Sequence, residues 1–312
     1  MRNSTRLRKL LRDNSILFIP GIYNSLTARI FEEAGFKALY MSGYATSFSM
    51  LGMPDVGLIT LNEMAMNAGN IAEAINVPLI ADCDTGYGNA INVTRAIKEY
   101  IKGGVAGVHL EDQTFPKRCG HVGGKKLLPL KVAAGKIKAA VDTRNKYDPD
   151  FLIIARTDAR GAQGGGLEEA IKRGNAYGEA GADVIFVEAP KNEDEIRHVV
   201  QEIDKPIFYN STGLSPRLNL DRLQEIGVKM VITGGLSMRV ALKEIYDFAL
   251  KLKNDPLKTQ LDFKEEFEKH PLGDYHSFVG FPKMEKMEKK YLPEEEQPDY
   301  NSTVGYNPEK GE

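Results

Sequence analysis

Cysteine is almost absent from this chain of 312 residues, with Cys83 and Cys119 as its two thiols. Two thiols cannot build a disulfide framework, and the opening stretch MRNSTRLRKLLRDNS lacks the apolar core of a signal peptide. The expected setting is therefore reducing and cytoplasmic. No apolar run approaches the roughly 18 residues of a membrane span, so no membrane partner is expected. Neither sign of charge prevails: 41 basic residues against 43 acidic ones give a net charge of −2, which supplies no positive field for nucleic acid. Also missing is a G-x-G-x-x-G turn after the first apolar run, which removes the main support for a doubly wound dinucleotide-binding sheet. These absences leave a chain with room for a large core and a small-molecule partner.

A short apolar run, then a turn, then a segment with helical spacing recurs along the chain. Eight such runs are present, at 16–19, 38–41, 78–81, 106–110, 151–155, 184–187, 206–209 and 230–233. The amphipathic stretches between them fall at 25–34, 61–75, 93–102, 131–145, 167–180, 193–202 and 220–226. Glycine closes several of these just before the next run, at Gly35, Gly103-Gly104, Gly181 and Gly227, where a left-handed cap ends a helix. Eight alternating units predict a closed parallel (β/α)8 TIM barrel, a fold that commonly uses ~250 residues as one unit. The barrel domain is expected over 1–255, with its last helix at 237–253. More helix is expected at 262–269 and 281–291, so that 256–291 forms a C-terminal helical extension of the same domain. Its apolar side has no barrel strand to cover, and a neighbouring subunit is the expected cover. Residues 292–312, polar and punctuated by proline, are expected to form a disordered tail.

Barrel enzymes carry their chemistry at the carboxyl ends of the strands. Here those ends read Tyr40-Met41-Ser42-Gly43, Asp82-Cys83-Asp84, His109-Leu110-Glu111-Asp112, Arg156-Thr157-Asp158, Glu188-Ala189-Pro190, Asn210-Ser211-Thr212 and Gly234-Gly235, with Arg239 just beyond. A pleat of period two turns Asp82 and Asp84 to one side and Cys83 to the other, and places His109 and Glu111 on one face of the adjacent strand. Carboxylates this close need a cation to stay ionised at neutral pH. Oxygen ligands without a Cys/His cage suit Mg2+ or Mn2+. Arg156 ends a buried strand and must meet an anion, either Glu188 or a substrate carboxylate. Ser42-Gly43 and Asn210-Ser211-Thr212 offer donors for a second carboxylate, or serve as turn caps.

The densest cluster is Lys117-Arg118-Cys119-Gly120-His121. Two cations and a His beside a sulfur favour the thiolate, and a Gly lets the backbone approach a ligand closely. The cluster lies in a Gly- and Lys-rich segment, 113–129, too long and polar for an ordinary βα turn and expected to act as a lid. Cys83 is expected to pack as a small hydrophobe and His198 to lie on the surface.

Together the Lys117–His121 cluster, Asp82-Cys83-Asp84-Thr85-Gly86-Tyr87-Gly88 and Pro54-Asp55 resemble the motifs of the isocitrate lyase/phosphoenolpyruvate mutase superfamily, and within it the methylisocitrate and 2,3-dimethylmalate lyases. The resemblance runs from about residue 10 to 291. It implies a Mg2+-dependent lyase that cleaves a carbon–carbon bond of a 2-hydroxy di- or tricarboxylate, with 2-methylisocitrate as the leading substrate and 2,3-dimethylmalate next. It also implies a homotetramer in which a C-terminal helix is exchanged between subunits. In that reading Tyr40, Ser42 and Gly43 hold the 2-oxo acid end, Asp82 and Asp84 bind the metal, and Asp55 and Glu111 support it through water. Cys119 is the general acid, Gly120 and His121 line the lid, and Arg156, Glu188, Asn210, Thr212 and Arg239 contact the carboxylates and the reacting hydroxyl. The chain has Val122-Gly123-Gly124-Lys125-Lys126 where methylisocitrate lyases run Arg-Pro-Asn-Lys after the His, and Tyr44 where many have glycine. Oxaloacetate hydrolysis or decarboxylation and phosphonate-forming mutase chemistry therefore remain as alternatives on the same barrel.

Overall fold

The computed structural model describes residues 1–310. Eight parallel strands close into a barrel in chain order: β1 Leu17–Ile22, β2 Leu39–Met41, β3 Leu79–Asp82, β4 Gly107–Glu111, β5 Leu152–Thr157, β6 Val184–Val187, β7 Ile207–Asn210 and β8 Met230–Thr233. The ring is sealed where Leu17 to Pro20 pair with Met230 to Thr233. The expected (β/α)8 barrel is thus the fold.

The helices are α1 Asn3–Arg12, α2 Ser25–Glu33, α3 Gly43–Leu51, α4 Leu61–Ala74, α5 Ala90–Lys102, α6 Leu130–Tyr147, α7 Leu167–Glu179, α8 Glu193–Glu202, α9 Leu220–Ile226, α10 Leu236–Asn254, α11 Pro256–Glu268, α12 Tyr275–Val279 and α13 Phe281–Tyr291. Local chemistry sets their ends. Asn24 with Thr27 and Thr60 with Glu63 form reciprocal capping boxes at the starts of α2 and α4. Gly35, Gly104, Gly181 and Gly227 all take positive φ before the following strand, as the punctuation predicts.

The strand pleat sorts side chains into two layers. Ile19, Tyr40, Ile80, Ile154, Phe186, Phe208 and Ile232 fill the barrel, while Leu39, Leu79, Val108, Leu110, Ile153 and Ile185 pack outward under the helices. Both faces are buried, which is why these strands read as continuous apolar runs. The same parity carries Asp82, Glu111, Arg156 and Glu188 inward at the carboxyl ends.

Two helices were not expected. The first, α1, carries Leu7 at 0 % exposure into the barrel-interior cluster. Ser4 Oγ donates to Asp148 at 2.8 Å, and Arg8 Nη2 meets Asp183 at 3.0 Å, so α1 is tied to the loops at the amino-terminal end of the barrel. The second, α3, starts where a turn was expected: the Ser42 hydroxyl accepts from Ala45 N at 3.3 Å and caps it.

The chain divides into two compact units, Met1–Ala241 and the residues from Leu242 on. The division falls inside α10, whereas the expected one followed residue 255. In the second unit Tyr300 donates to Glu288 at 2.6 Å, Ser277 and Tyr306 share a 2.6 Å hydrogen bond, and Lys289 pairs with Glu309 at 2.6 Å. The expected tail at 292–312 is engaged by these contacts as far as it is described, and its last two residues lie outside the described ones.

Leu7 fills the end of the barrel, so Leu7→Ala leaves a cavity there. We expect a loss of ~2–5 kcal/mol in denaturant unfolding, against under ~1 kcal/mol for Leu26→Ala on the exposed side of α2.

Candidate active site

A cavity of about 180 Å³ opens at the carboxyl ends of the strands. Tyr40, Ser42, Asp55, Asp82, Cys119, Gly120, His121, Arg156, Glu188, Asn210, Thr212 and Arg239 all line it. Three residues expected to act there, Gly43, Asp84 and Glu111, do not line it, and Tyr44, Val122, Phe186, Gly213, Ile232, Gly234 and Gly235 complete the lining.

The acid side of the cavity is built from β2, β3 and β4. Asp82 Oδ1 accepts from Asp84 N at 3.0 Å and Oδ2 from Gly43 N at 3.1 Å. Gly43 thus serves Asp82, and Ser42 is the cap of α3. His109 Nε2 lies 3.3 Å from Asp82 Oδ1 and 2.7 Å from the Tyr40 hydroxyl. Burial pushes the Asp82 carboxyl up, but His109, then Lys117 and Arg156, outweigh it and hold it far below the usual carboxylate range. Asp84 follows β3 in a left-handed conformation, φ 45°, so the pleat expected to continue through it is broken by a turn. Burial raises its carboxyl to about 6, with Lys117 opposing. Burial raises Glu111 as well, against Arg156 and Lys117.

Lys117 corrects the sequence reading. Its Nζ lies 2.6 Å from both Asp55 Oδ1 and Asp84 Oδ1, and the side chain is 3 % exposed. It serves the acids, not the sulfur. Arg118 points to solvent, with its backbone held by the Gln113 amide at 2.9 and 2.8 Å. Burial therefore dominates at Cys119 and raises its thiol above the ordinary value of 9.0, against the His121 backbone N–H and Arg156. The neighbours that favour the thiolate are outweighed, in keeping with the general acid that the resemblance implies.

The donor set fits a hard cation that keeps water. Glu111 Oε1 and Oε2 are buried without a hydrogen-bond partner, as is Asp84 Oδ1, whose contact with Lys117 is ionic and not aligned as a hydrogen bond. Among the described residues no three His, Cys, Asp or Glu side chains converge closely enough to ligate an ion by themselves. Such a set suits Mg2+, which binds a few carboxylates and retains several waters.

Opposite the acids, Arg156 is shared among carboxylates. Nε and Nη2 donate to Asp158 at 3.1 Å each, Nη2 lies 3.3 Å from Glu188, and Nη1 lies 3.5 Å from Glu111. The guanidinium also covers the Phe186 ring at 5.2 Å. Glu188 is a partner as expected; Asp158 is the one overlooked, although it lies two residues along the same strand end. Arg239 stands exposed at the rim.

The 113–129 segment meets β6 and β7 over this site. Leu214 N donates to His121 Nδ1 at 3.2 Å, which a neutral ring accepts, and Nε2 lies 3.3 Å from Glu188 and 3.2 Å from the Asn210 amide nitrogen. Burial lowers the His121 pKa, which favours that neutral form. Thr212 Oγ1 donates to Asn210 Oδ1 at 2.6 Å and fixes the amide. A Cβ on Gly120 would lie 2.6 Å from Glu188 Cγ, so glycine is required where the segment crosses the site. The buried Lys125, absent from the sequence reading, donates to the carbonyls of Gly120 and Val122 and fixes that turn. His198 is 41 % exposed and pairs with Glu168, and Cys83 is fully buried, as expected.

Known proteins share this constellation's frame. Residues 7–253 match the family model for phosphoenolpyruvate phosphomutase. The chain is 41 % identical to 2,3-dimethylmalate lyase of Eubacterium barkeri, over 93 % of this chain and 99 % of that one. It is 39 % identical to 2-methylisocitrate lyase of Bacillus subtilis, over 93 % of this chain and 95 % of that protein. Oxaloacetate acetylhydrolase, solved with 3,3-difluorooxalacetate, superposes with a TM-score of 0.85 at 34 % identity, over 92 % of this chain and 96 % of that one. Phosphonopyruvate hydrolase, solved with oxalate and Mg++, does so at 0.83 and 30 %, over 94 % and 100 %. With the barrel, the matched span and these identities, the chain belongs to the phosphoenolpyruvate mutase/isocitrate lyase superfamily and is an enzyme.

Proposed function

We propose that the enzyme is a Mg2+-dependent lyase that cleaves a 2-hydroxy dicarboxylate of the 2,3-dimethylmalate type to a 2-oxo acid and a carboxylate. The observation that carries this reading is Cys119, a thiol whose titration burial raises, at the edge of a cavity that also contains the Arg156 guanidinium. Such an acid suits a reaction that leaves a carbanion to protonate, as carbon–carbon cleavage does and phosphonate-forming transfer does not. Val122 lines the cavity where a tricarboxylate would want another cation, which favours dimethylmalate over 2-methylisocitrate. Oxaloacetate hydrolysis is the second reading, since the acetylhydrolase superposes at 0.85, beside 0.87 for 2,3-dimethylmalate lyase.

Asp82 and Asp84, with Asp55 and Glu111 behind them, are the residues that would hold Mg2+, which when bound supplies Lewis-acid stabilisation of negative charge on substrate oxygen. Glu188, facing His121 and Asn210, accepts the substrate hydroxyl proton. Arg156 stabilises the oxygen charge that develops as the carbon–carbon bond breaks. The bonding pair remains on the departing carbon, and Cys119 delivers its S–H proton there. The 113–129 segment, crossing at Gly120, keeps water from the carbanion. Exposed apolar side chains on α10 and α11, among them Ile245, Tyr246, Leu257 and Leu261, support a homotetramer with an exchanged C-terminal helix. A cytoplasmic setting is supported by the two free thiols.

Cys119→Ser should lower lyase turnover by ~10²–10⁴-fold in a coupled 2-oxo acid assay on 2,3-dimethylmalate, the usual worth of a positioned acid. Turnover of oxaloacetate by the wild type, with no product from 2,3-dimethylmalate, would favour the second reading. Because burial raises the thiol pKa, iodoacetamide should label Cys119 slowly at pH 7–8, with a half-maximal rate only above pH 9.0. A midpoint below 8 contradicts the assignment. Chelation with EDTA should abolish turnover, and Mg2+ or Mn2+ should restore it; activity that survives exhaustive chelation removes the metal.

A further inference from the structure

One buried carboxylate next to the site has no part in the chemistry. Asp112 follows Glu111 at the end of β4, and the pleat that turns Glu111 toward the cavity turns Asp112 outward, toward α7. It is 2 % exposed and does not line the cavity. Its two oxygens nevertheless take four donors. Oδ1 accepts Asp158 N at 3.0 Å, and Oδ2 accepts Thr157 Oγ1 at 2.7 Å, the Tyr177 hydroxyl at 2.7 Å and Arg173 Nη1 at 3.2 Å.

These donors belong to two structures that the reaction requires. Thr157 ends β5 and Asp158 follows it, and Asp158 holds Arg156 through two 3.1 Å bonds. Arg173 Nη1 also donates to Leu128 O at 3.0 Å, while Leu128 N donates to Asp112 O at 2.9 Å. The segment over the cavity begins at Gln113 and returns through Leu127, which pair across its root. Thr114 N to Lys126 O, at 2.8 Å, continues that pairing. Asp112 and Arg173 therefore close the root of the 113–129 segment with the groups that fix the Arg156 turn.

We propose that Asp112 and Arg173 form a positioning pair behind the barrel wall, which sets the aim of Arg156 through Asp158 and anchors the segment bearing Cys119 through Leu128. Neither residue touches substrate. A displacement of about 1 Å in a catalytic group costs on the order of 10²-fold in rate, so the pair matters through geometry alone. The kinetic part rests on the lyase reading; the labelling part does not.

The test has two arms. In the first, Asp112→Asn and Tyr177→Phe are measured alone and with Arg156→Lys, and stability is followed by thermal unfolding. Asp112→Asn should lower kcat by ~10–100-fold with KM changed less than ~3-fold, and Tyr177→Phe by ~3–10-fold. Once Arg156 is replaced, either change should cost less than ~2-fold more, because the group being aimed is gone. In the second arm, Arg173→Met should speed iodoacetamide labelling of Cys119 several-fold at fixed pH, while Arg173→Lys restores much of the protection. The proposal is overturned by full additivity with Arg156→Lys, or by labelling at the wild-type rate in folded Arg173→Met. If Asp112→Asn does not fold, the Tyr177→Phe cycle decides the first arm. Absence of lyase activity from the wild type would sink the functional reading and leave the labelling result to judge the anchor.

Discussion

Arg156 is buried at the end of β5 and shares one guanidinium among Asp158, Glu111 and Glu188. Removing a charge from water costs several kcal/mol, and it persists only where partners meet it with good geometry. The barrel supplies that geometry because Glu111, Arg156 and Glu188 point inward from neighbouring parallel strands, and Glu111 and Arg156 are register partners. Its carboxylate partners in turn depend on it: without the guanidinium, Glu111 and Glu188 would each lose a buried ion-pair partner. A cation fixed in this way is ready to meet charge on a substrate without reorganising.

Across the cavity, Lys117 plays a parallel part. Asp55, Asp82, Asp84 and Glu111 crowd negative charge, and the Lys117 ammonium answers the outer pair at 2.6 Å. By taking Lys117 away from Cys119, this arrangement leaves the sulfur to burial, and the thiol keeps its proton. The same interactions that organise the acids thus decide what the cysteine can do.

Much of this was legible in the sequence. The eight strands stand out because their burial on both faces makes them apolar throughout, and the glycines after the helices marked the ends correctly. By contrast, α1 was missed although Leu7, Leu10 and Leu11 share one face, because three arginines and a lysine make residues 3–12 polar overall and the apolar stripe is only three leucines long. The helix α3 was hidden because Ser42-Gly43 reads as a turn until the cap is seen. Within the site, strand-end parity brought Asp82, Glu111 and Arg156 to one mouth, whereas Asp84 leaves the pleat. What misled was adjacency: Lys117 and Arg118 flank Cys119 in the chain, yet one turns into the acid cluster and the other to solvent. Asp112 stood in view at the end of β4 but without a role, since its partners include α7 residues more than sixty positions away.

The central claim is that Cys119 hands a proton to a carbanion inside a closed cavity. It is tested most directly by turnover of 2,3-dimethylmalate in D2O, with NMR analysis of the carboxylate product. A proton delivered from one fixed sulfur predicts a single deuterium at the former bond carbon in one configuration, and scrambled configuration in Cys119→Ser. Deuterium in both configurations from the wild-type enzyme would show that solvent, not Cys119, protonates the carbanion, and would contradict the account.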